Sequence, residues 1–330
     1  MSDANPFPPS SLRTPKRASK WGDRVFIVLT GVGAALVILA LVAFVVVLYV
    51  GAEASVKQFG LAFLTNRVWL PASENPNIPG NIHGVVPFAI GTLLTSAIAL
   101  LIAIPLSLGA AIFLTQQAPQ RLRAPVGQLI ELLAAIPSII YGFWGLIVLV
   151  PIMRYDIEPN LKSWLGWTGW FGGTPTGLDV LTASVILAVM VIPTITAISR
   201  DTIAAVPVSQ KEAALSLGAT DWEVTRRAVL PYARAGVLAG IVLGLGRALG
   251  ETMAVTLVIG NENASPTSLL SHGQTIASLL ANQFAESSGP LETSAMIEAG
   301  LILLVITLVI NVGARLVLSR LQTGRGVGQE

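Results

Sequence analysis

The chain contains no cysteine, and charge is scarce: 20 Lys+Arg and 18 Asp+Glu make up 12% of its 330 residues. Without cysteine there is no disulfide framework, no thiolate metal site and no cysteine nucleophile. Soluble domains carry roughly 25% charged residues. Half of that charge is missing here, too little to solvate a water-soluble surface of this size. Other chemistry is absent too. No HExxH or G-x-S-x-G occurs, and His83 and His272 stand alone in sequence. None of the five lysines follows a glycine, so the G-K-[ST] of a P-loop is missing. A net charge of +2 argues against nucleic acid as a partner. The 53% hydrophobic content excludes a disordered chain.

What is present is apolar length. After a polar, basic tail at 1–24, with Arg13, Lys16, Arg17, Lys20 and Arg24, Val25–Val50 runs without a charge. That exceeds the roughly 20 residues a helix needs to span a bilayer. Ala52-Glu53-Ala54 mimics a signal-peptidase site. The preceding run is too long for a signal-peptide core of about 7–15 residues, which predicts an uncleaved first span. Five more spans follow at about Pro87–Leu114, Val126–Met153, Val180–Ser199, Ala233–Gly260 and Met296–Leu318. Long apolar runs rather than short alternating strands make this an all-α integral membrane protein with six transmembrane helices. Pro105, Pro137, Pro151 and Pro193 lie in or at the ends of spans, where they can kink helices around a pathway. The expected organisation is a tail at 1–24, a membrane domain at 25–320 with a loop at about 200–232, and a tail at 321–330.

Six spans place both termini on one side. Fifteen of the 20 basic residues fall on that side, against Lys57, Arg67, Arg154 and Lys162 on the other. The positive-inside rule makes the termini cytoplasmic. Trp164, Trp167 and Trp170 recur every three residues in an external segment and fit an interfacial anchor better than a ligand cage.

The loop Arg200–Tyr232 is the most structured polar stretch. Ser209-Gln210-Lys211-Glu212 and Thr220-Asp221-Trp222-Glu223 both fit capping boxes. Gly218 sits where the first helix must stop. A capped helix pair on the cytoplasmic surface could rest on lipid or dock a partner. Its residues Glu212, Ala213, Ala214, Gly218, Leu230 and Pro231 resemble the EAA motif of ABC-importer permeases, E-A-A-x3-G-x9-I-x-L-P. Ala228 stands at the isoleucine position, the one departure. The resemblance implies the type I ABC-importer permease fold and a coupling helix that sits in a cleft of an ATP-hydrolysing subunit.

Charges inside spans are rare and costly. On an α-helix the fifth span places Gly236, Gly240, Gly244, Arg247 and Glu251 on one face and apolar residues opposite. Small residues spaced by four allow another helix to approach closely. Arg247 lies about 21 Å along the span from Ala233. Two readings stand: a buried Arg247–Glu251 pair that fixes packing, or an anion site or gate, since a guanidinium offers a planar fork to an oxyanion. Glu131, about 9 Å into the third span, can line a pathway or bind a neighbouring loop.

Gly246-Arg247-Ala248-Leu249-Gly250-Glu251-Thr252-Met253-Ala254 resembles the signature of phosphate ABC-transporter permeases. So do Ile136-Pro137-Ser138-Ile139-Ile140-Tyr141-Gly142 and Pro87-Phe88-Ala89-Ile90-Gly91-Thr92-Leu93. The resemblance covers about residues 25–320, and the basic N-terminus and second span point to the PstC type. It implies a pathway or gate at Arg247, Glu251 and Thr252, with Glu131 and Ser138 as further pathway candidates. It also implies a second permease chain of PstA type, two ATPase subunits of PstB type that hold ATP and Mg, and an external phosphate-binding protein of PstS type. The chain itself is then not an enzyme and carries no cofactor. Sulfate or molybdate permeases are the near alternative, although those tend to have an aromatic where Thr252 stands. An ion-coupled secondary transporter would favour inverted repeats, and no convincing pair is visible.

Overall fold

The computed structural model describes residues 20–70, 82–287 and 289–323. Most of the basic tail, including Arg13, Lys16 and Arg17, lies outside them, as does Arg325. The chain separates into a unit ending at Val50 and a second from Gly51 onward. The first holds most of α1 (Lys20–Phe59), a helix with few polar interruptions. The second holds α2 (Val86–Gln117), α3 (Gln120–Ala134), α4 (Ser138–Thr168), α5 (Val180–Ala204), α6 (Val208–Ser216), α7 (Asp221–Leu249), α8 (Met253–Thr256), α9 (Ile276–Gln283) and α10 (Pro290–Thr323). No strand occurs among the described residues, only isolated bridges between Leu70 and Ile82 and between Gly260 and Gly273. Among the described residues, six helices are long and apolar enough to cross a membrane: α1, α2, α4, α5, α7 and α10. The protein is a multi-pass membrane protein.

Three boundaries differ from the sequence expectation. The third span does not begin at Val126. Ala135 ends α3, Pro137 is extended (φ −57°, ψ 136°), and α4 starts at Ser138. Proline disfavours a helical conformation at the residue before it, here Ile136, which splits an otherwise apolar run. Tyr141 Oη bridges the break by donating at 2.8 Å to Leu133 O, a carbonyl in the last turn of α3 that also accepts from Ile136 N at 3.3 Å. Glu131 therefore lies on a separate helix outside the six spans. The fifth span is continuous with the loop helix before it and ends at Leu249 rather than Gly260. The two tightly capped helices expected in the loop also change. Pro207 stands at the N-cap of α6, so the Ser209 capping box does not form. The Thr220–Glu223 box does form, and starts α7.

α5 is the most enclosed of the spans. Asp179 caps it, its Oδ1 accepting from Thr182 N at 2.8 Å. Ile186, Leu187, Met190 and Ile195 are fully buried in the central cluster with Ala99, Ala103, Ala248 and Ala254. In lipid, helices gain nothing by hiding apolar surface from one another, so association rests on close packing. The α5–α7 contact shows how. A Cβ at Gly236 would stand 2.3 Å from Thr202 Cγ2, and one at Gly244 would stand 2.7 Å from Ile195 Cγ1. The pairing of 236 with 202 and of 244 with 195 makes the helices antiparallel.

Four π-helical turns interrupt the described helices, at Phe113–Gln117, Gly145–Leu149, Met153–Ile157 and Thr225–Val229. Each ends two residues before a proline: Pro119, Pro151, Pro159 and Pro231. A proline lacks the N–H that would bond the carbonyl four residues back and crowds that carbonyl, which favours a widened turn upstream.

Candidate functional site

The glycine face of α7 that packs on α5 delivers Arg247 to the same helix. Arg247 Nη1 donates to Thr194 Oγ1 at 3.3 Å. Gly250 then breaks the helix, so Glu251 is not the next turn of a continuous span. Its Oε1 accepts from Ala254 N at 3.2 Å, capping the single-turn helix α8. Arg247 and Glu251 do not form an ion pair within 4.0 Å. The sequence expectation that Glu251 neutralises the arginine through the i, i+4 relation fails because the helix ends between them. Thr252 Oγ1 donates to Gly250 O at 3.3 Å and so helps hold the break.

Arg247 opens onto a cavity of about 1060 Å³ between α5, α7 and α10. Its walls are mostly apolar, with Leu243, Leu304 and Leu308 among them. The polar groups are Thr194, Arg247, Thr307, Asn311 and Arg315. No carboxylate lines it. An unneutralised guanidinium beside hydroxyls and an amide in such a space is suited to an oxyanion. Asn311 and Arg315 escaped the sequence analysis, which counted Arg315 only among the cytoplasmic charges. The signal was available: Thr307, Asn311 and Arg315 follow one another at four-residue spacing, a polar stripe on an apolar helix.

Glu131 and Ser138 are not among the residues that line this cavity. Arg200 Nη2 on α5 donates to Glu131 Oε1 and to Asp201 Oδ1, each at 2.8 Å. Glu131 thus ties α3 to the end of α5, and its side chain is 58% exposed. Ser138 is the first residue of α4 and is half-buried.

The loop motif forms a second candidate site. Gly218 takes φ +82°, the left-handed conformation that ends α6 and that glycine adopts without a Cβ penalty. Val224 and Val229 are buried with Ala111, Ile203 and Ala233, and Ala214, Ala219 and Leu230 pack against them. That cluster roots the motif on α2 and α5. Leu230 begins the regular α-helix beyond the wide turn, with Pro231 in its first turn. The opposite side is bare: Glu212 and Ala213 are exposed, and Leu215, Leu217 and Trp222 show 48%, 88% and 61% of their surface. Large apolar side chains this open, on a rooted helix pair, suit contact with another protein.

Residues 103–323 match the family of binding-protein-dependent transport system inner membrane components. The phosphate transport system permease protein PstC of Mesorhizobium japonicum is 45% identical over 308 residues, covering 92% of each chain. That of Pasteurella multocida is 48% identical over 294 residues, covering 88% of this chain and 89% of the relative. Among solved structures, a bacterial alginate ABC transporter in complex with an alginate pentasaccharide-bound periplasmic protein aligns with a TM-score of 0.57. It is 17% identical and covers 89% of this chain and 95% of that one, which speaks for the fold alone. The helical architecture is the type I importer permease fold expected from the sequence. On these matches the chain belongs to the binding-protein-dependent transport system inner membrane components, among the PstC permease proteins.

Proposed function

We propose that the chain is the membrane-spanning permease subunit of an ATP-driven importer that moves inorganic phosphate inward, with both termini cytoplasmic. The observation that carries this is the mostly apolar cavity onto which Arg247 opens with no carboxylate beside it, in a chain whose nine-tenths-length relatives are phosphate permeases. A guanidinium held by Thr194 and unpaired with Glu251 retains its charge for a passing oxyanion. Packing of α7 on α5 fixes where that charge stands. The chain hydrolyses nothing itself. ATP and Mg belong to two ATPase subunits of PstB type, which dock on the exposed Glu212–Trp222 side of the loop. A second permease of PstA type and an external phosphate-binding protein of PstS type complete the machine. Closure of the ATPase pair displaces α6, and the root cluster of Val224, Val229 and Leu230 passes that displacement to α5 and α7. The equilibrium between outward- and inward-open states shifts accordingly.

The test is phosphate uptake into proteoliposomes, with the ATPase partners present or withheld and with Arg247→Gln. Uptake is expected only with the partners and ATP, and Arg247→Gln should abolish it while the complex still assembles. Uptake driven by a proton gradient without the ATPase would overturn the proposal. Loss of assembly in Arg247→Gln would assign the arginine to packing instead.

A further inference from the structure

We propose that the far end of the cavity is a second oxyanion station, in which Arg315 of α10 receives inorganic phosphate from Arg247 by way of Asn311 and releases it toward the C-terminal side, Thr307 lining the Arg247 end. The inference rests on the import function proposed above and adds the residues that take the anion past Arg247.

Thr307, Asn311 and Arg315 stand at successive four-residue steps on α10 and all line the cavity. Each step rotates the side chain by only about 40°, so the three form one stripe along the helix. Asn311 lies level with the start of the arginine site: a Cβ at Gly246 would be 3.7 Å from its Nδ2 and 3.8 Å from its Oδ1. α10 descends antiparallel to α7, as consecutive spans must, so Arg315 sits one turn, about 6 Å, beyond Asn311 on the side away from Arg247. The order along the cavity is Arg247 with Thr194, then Asn311, then Arg315.

Charge favours occupancy by an anion. Two guanidinium groups face one space, no lining residue is acidic, and neither takes part in an ion pair within 4.0 Å among the described residues. Like charges in a space with low-dielectric walls repel, and a bound oxyanion relieves that repulsion. The chemistry also matches. Each guanidinium can hold two oxygens of a tetrahedral anion bidentately. The amide of Asn311 and the hydroxyls of Thr307 and Thr194 offer donors for the other oxygens and acceptors for a phosphate proton. Two stations of similar chemistry one turn apart give an anion a place to go at each step, as transport requires.

The experiment uses the full complex in proteoliposomes with Arg315→Lys, Arg315→Gln and Asn311→Leu. Lysine keeps the cation that sets topology and loses the planar fork. Three readouts are taken: ATP-driven phosphate uptake, ATP hydrolysis stimulated by the loaded binding protein, and inhibition of uptake by phosphate inside the vesicle. Arg315→Lys should slow uptake by about tenfold and raise the half-inhibitory internal phosphate at least about fivefold, with stimulated hydrolysis within about twofold of wild type. A residue that only packs would not move the internal-phosphate dependence. Vesicles are made from phosphatidylcholine alone and with added phosphatidylglycerol. A defect seen only with the anionic lipid would mean that Arg315 holds a lipid headgroup, which overturns the proposal. Unchanged uptake and unchanged internal inhibition in both Arg315→Lys and Asn311→Leu also overturn it. If Arg315→Gln fails to assemble, those two variants decide. A wild-type complex that does not move phosphate refutes the import function as well, whereas normal Arg315 variants beside an inactive Arg247→Gln refute this station alone.

Discussion

Replacing Gly244 with alanine separates a positioned arginine from one that merely happens to be nearby. The new Cβ would stand 2.7 Å from Ile195 Cγ1 and 2.9 Å from Val191 Cγ1, where carbon atoms settle at about 3.5–4.0 Å. Ile195 and Val191 are 0% and 1% exposed, so neither side chain has room to rotate away. α7 must then retreat from α5 by about 1 Å. The Arg247–Thr194 hydrogen bond, 3.3 Å at rest, is carried beyond hydrogen-bonding distance. Overpacking of this kind costs about 1–3 kcal/mol, which a folded membrane domain tolerates. The functional cost is the larger one. Misplacing a reacting group by about 1 Å costs an enzyme roughly 100-fold, and we expect ATP-driven uptake to fall at least about tenfold. Gly109→Ala on α2 is the control, since a Cβ there meets nothing within 4 Å. The assay is initial uptake of labelled phosphate by matched amounts of assembled complex. Equal, wild-type rates for Gly244→Ala and Gly109→Ala would refute the argument that helix approach sets the arginine.

Glu131→Gln tests the reassignment of that carboxylate from pathway to tie. Its ion pair with Arg200 is open to solvent on the glutamate side, so it is worth about 1 kcal/mol or less and weakens with salt. Uptake should stay close to wild type in a filter assay, and a loss as deep as that of Arg247→Gln would restore Glu131 to the pathway. His83 gives a pH dependence. It is 1% exposed and its ring lies edge-on to Trp69, 4.5 Å between centroids. Burial pushes its pKa below the ordinary histidine value, and Glu292 opposes this only in part. The folded state thus holds the neutral ring, and its contribution to stability is present above about pH 6.5 and lost as pH falls below it. Thermal melts of the detergent-purified complex should drop between pH 7.5 and 5.5, and His83→Phe should flatten that dependence; an identical slope in both would exclude His83 as the cause.

The spans were legible because charge and apolar length are one-dimensional properties: a run such as Val180–Ser199 announces itself. Breaks within a run were harder to see. The apolar text continues through Ala135 and Ile136, and only Pro137 marks the point where α3, with Glu131, is cut off from α4. Gly250 is one glycine among several in the fifth span, and nothing local distinguishes the one that ends the helix from Gly240 or Gly244, which pack inside it. Of the two readings left open for Arg247, the pair with Glu251 assumed an unbroken helix, and the break at Gly250 removes that assumption. The glycine face and Gly218 were read correctly, since close approach and positive φ are demands of the backbone that few other residues meet. The stripe of Thr307, Asn311 and Arg315 is legible in its four-residue spacing, but that it faces the same space as Arg247 depends on which helix packs on which, and no local pattern states that.

The widened turn at Thr225–Val229 lies between the exposed side chains of the loop and Arg247, and it sets how the two are phased. A π turn takes in one more residue than the α-helix it interrupts and absorbs it within about one turn of the chain. Deleting Ala228 would let the segment close into regular α-helix with the loop and Arg247 still in nearly the same phase. Deleting a residue from the regular α-helix after the turn would instead rotate the loop by about 100° relative to Arg247, swinging Leu217 and Trp222 to another side. The widened turn is thus the one stretch of α7 where a residue can be lost without changing which way the loop faces.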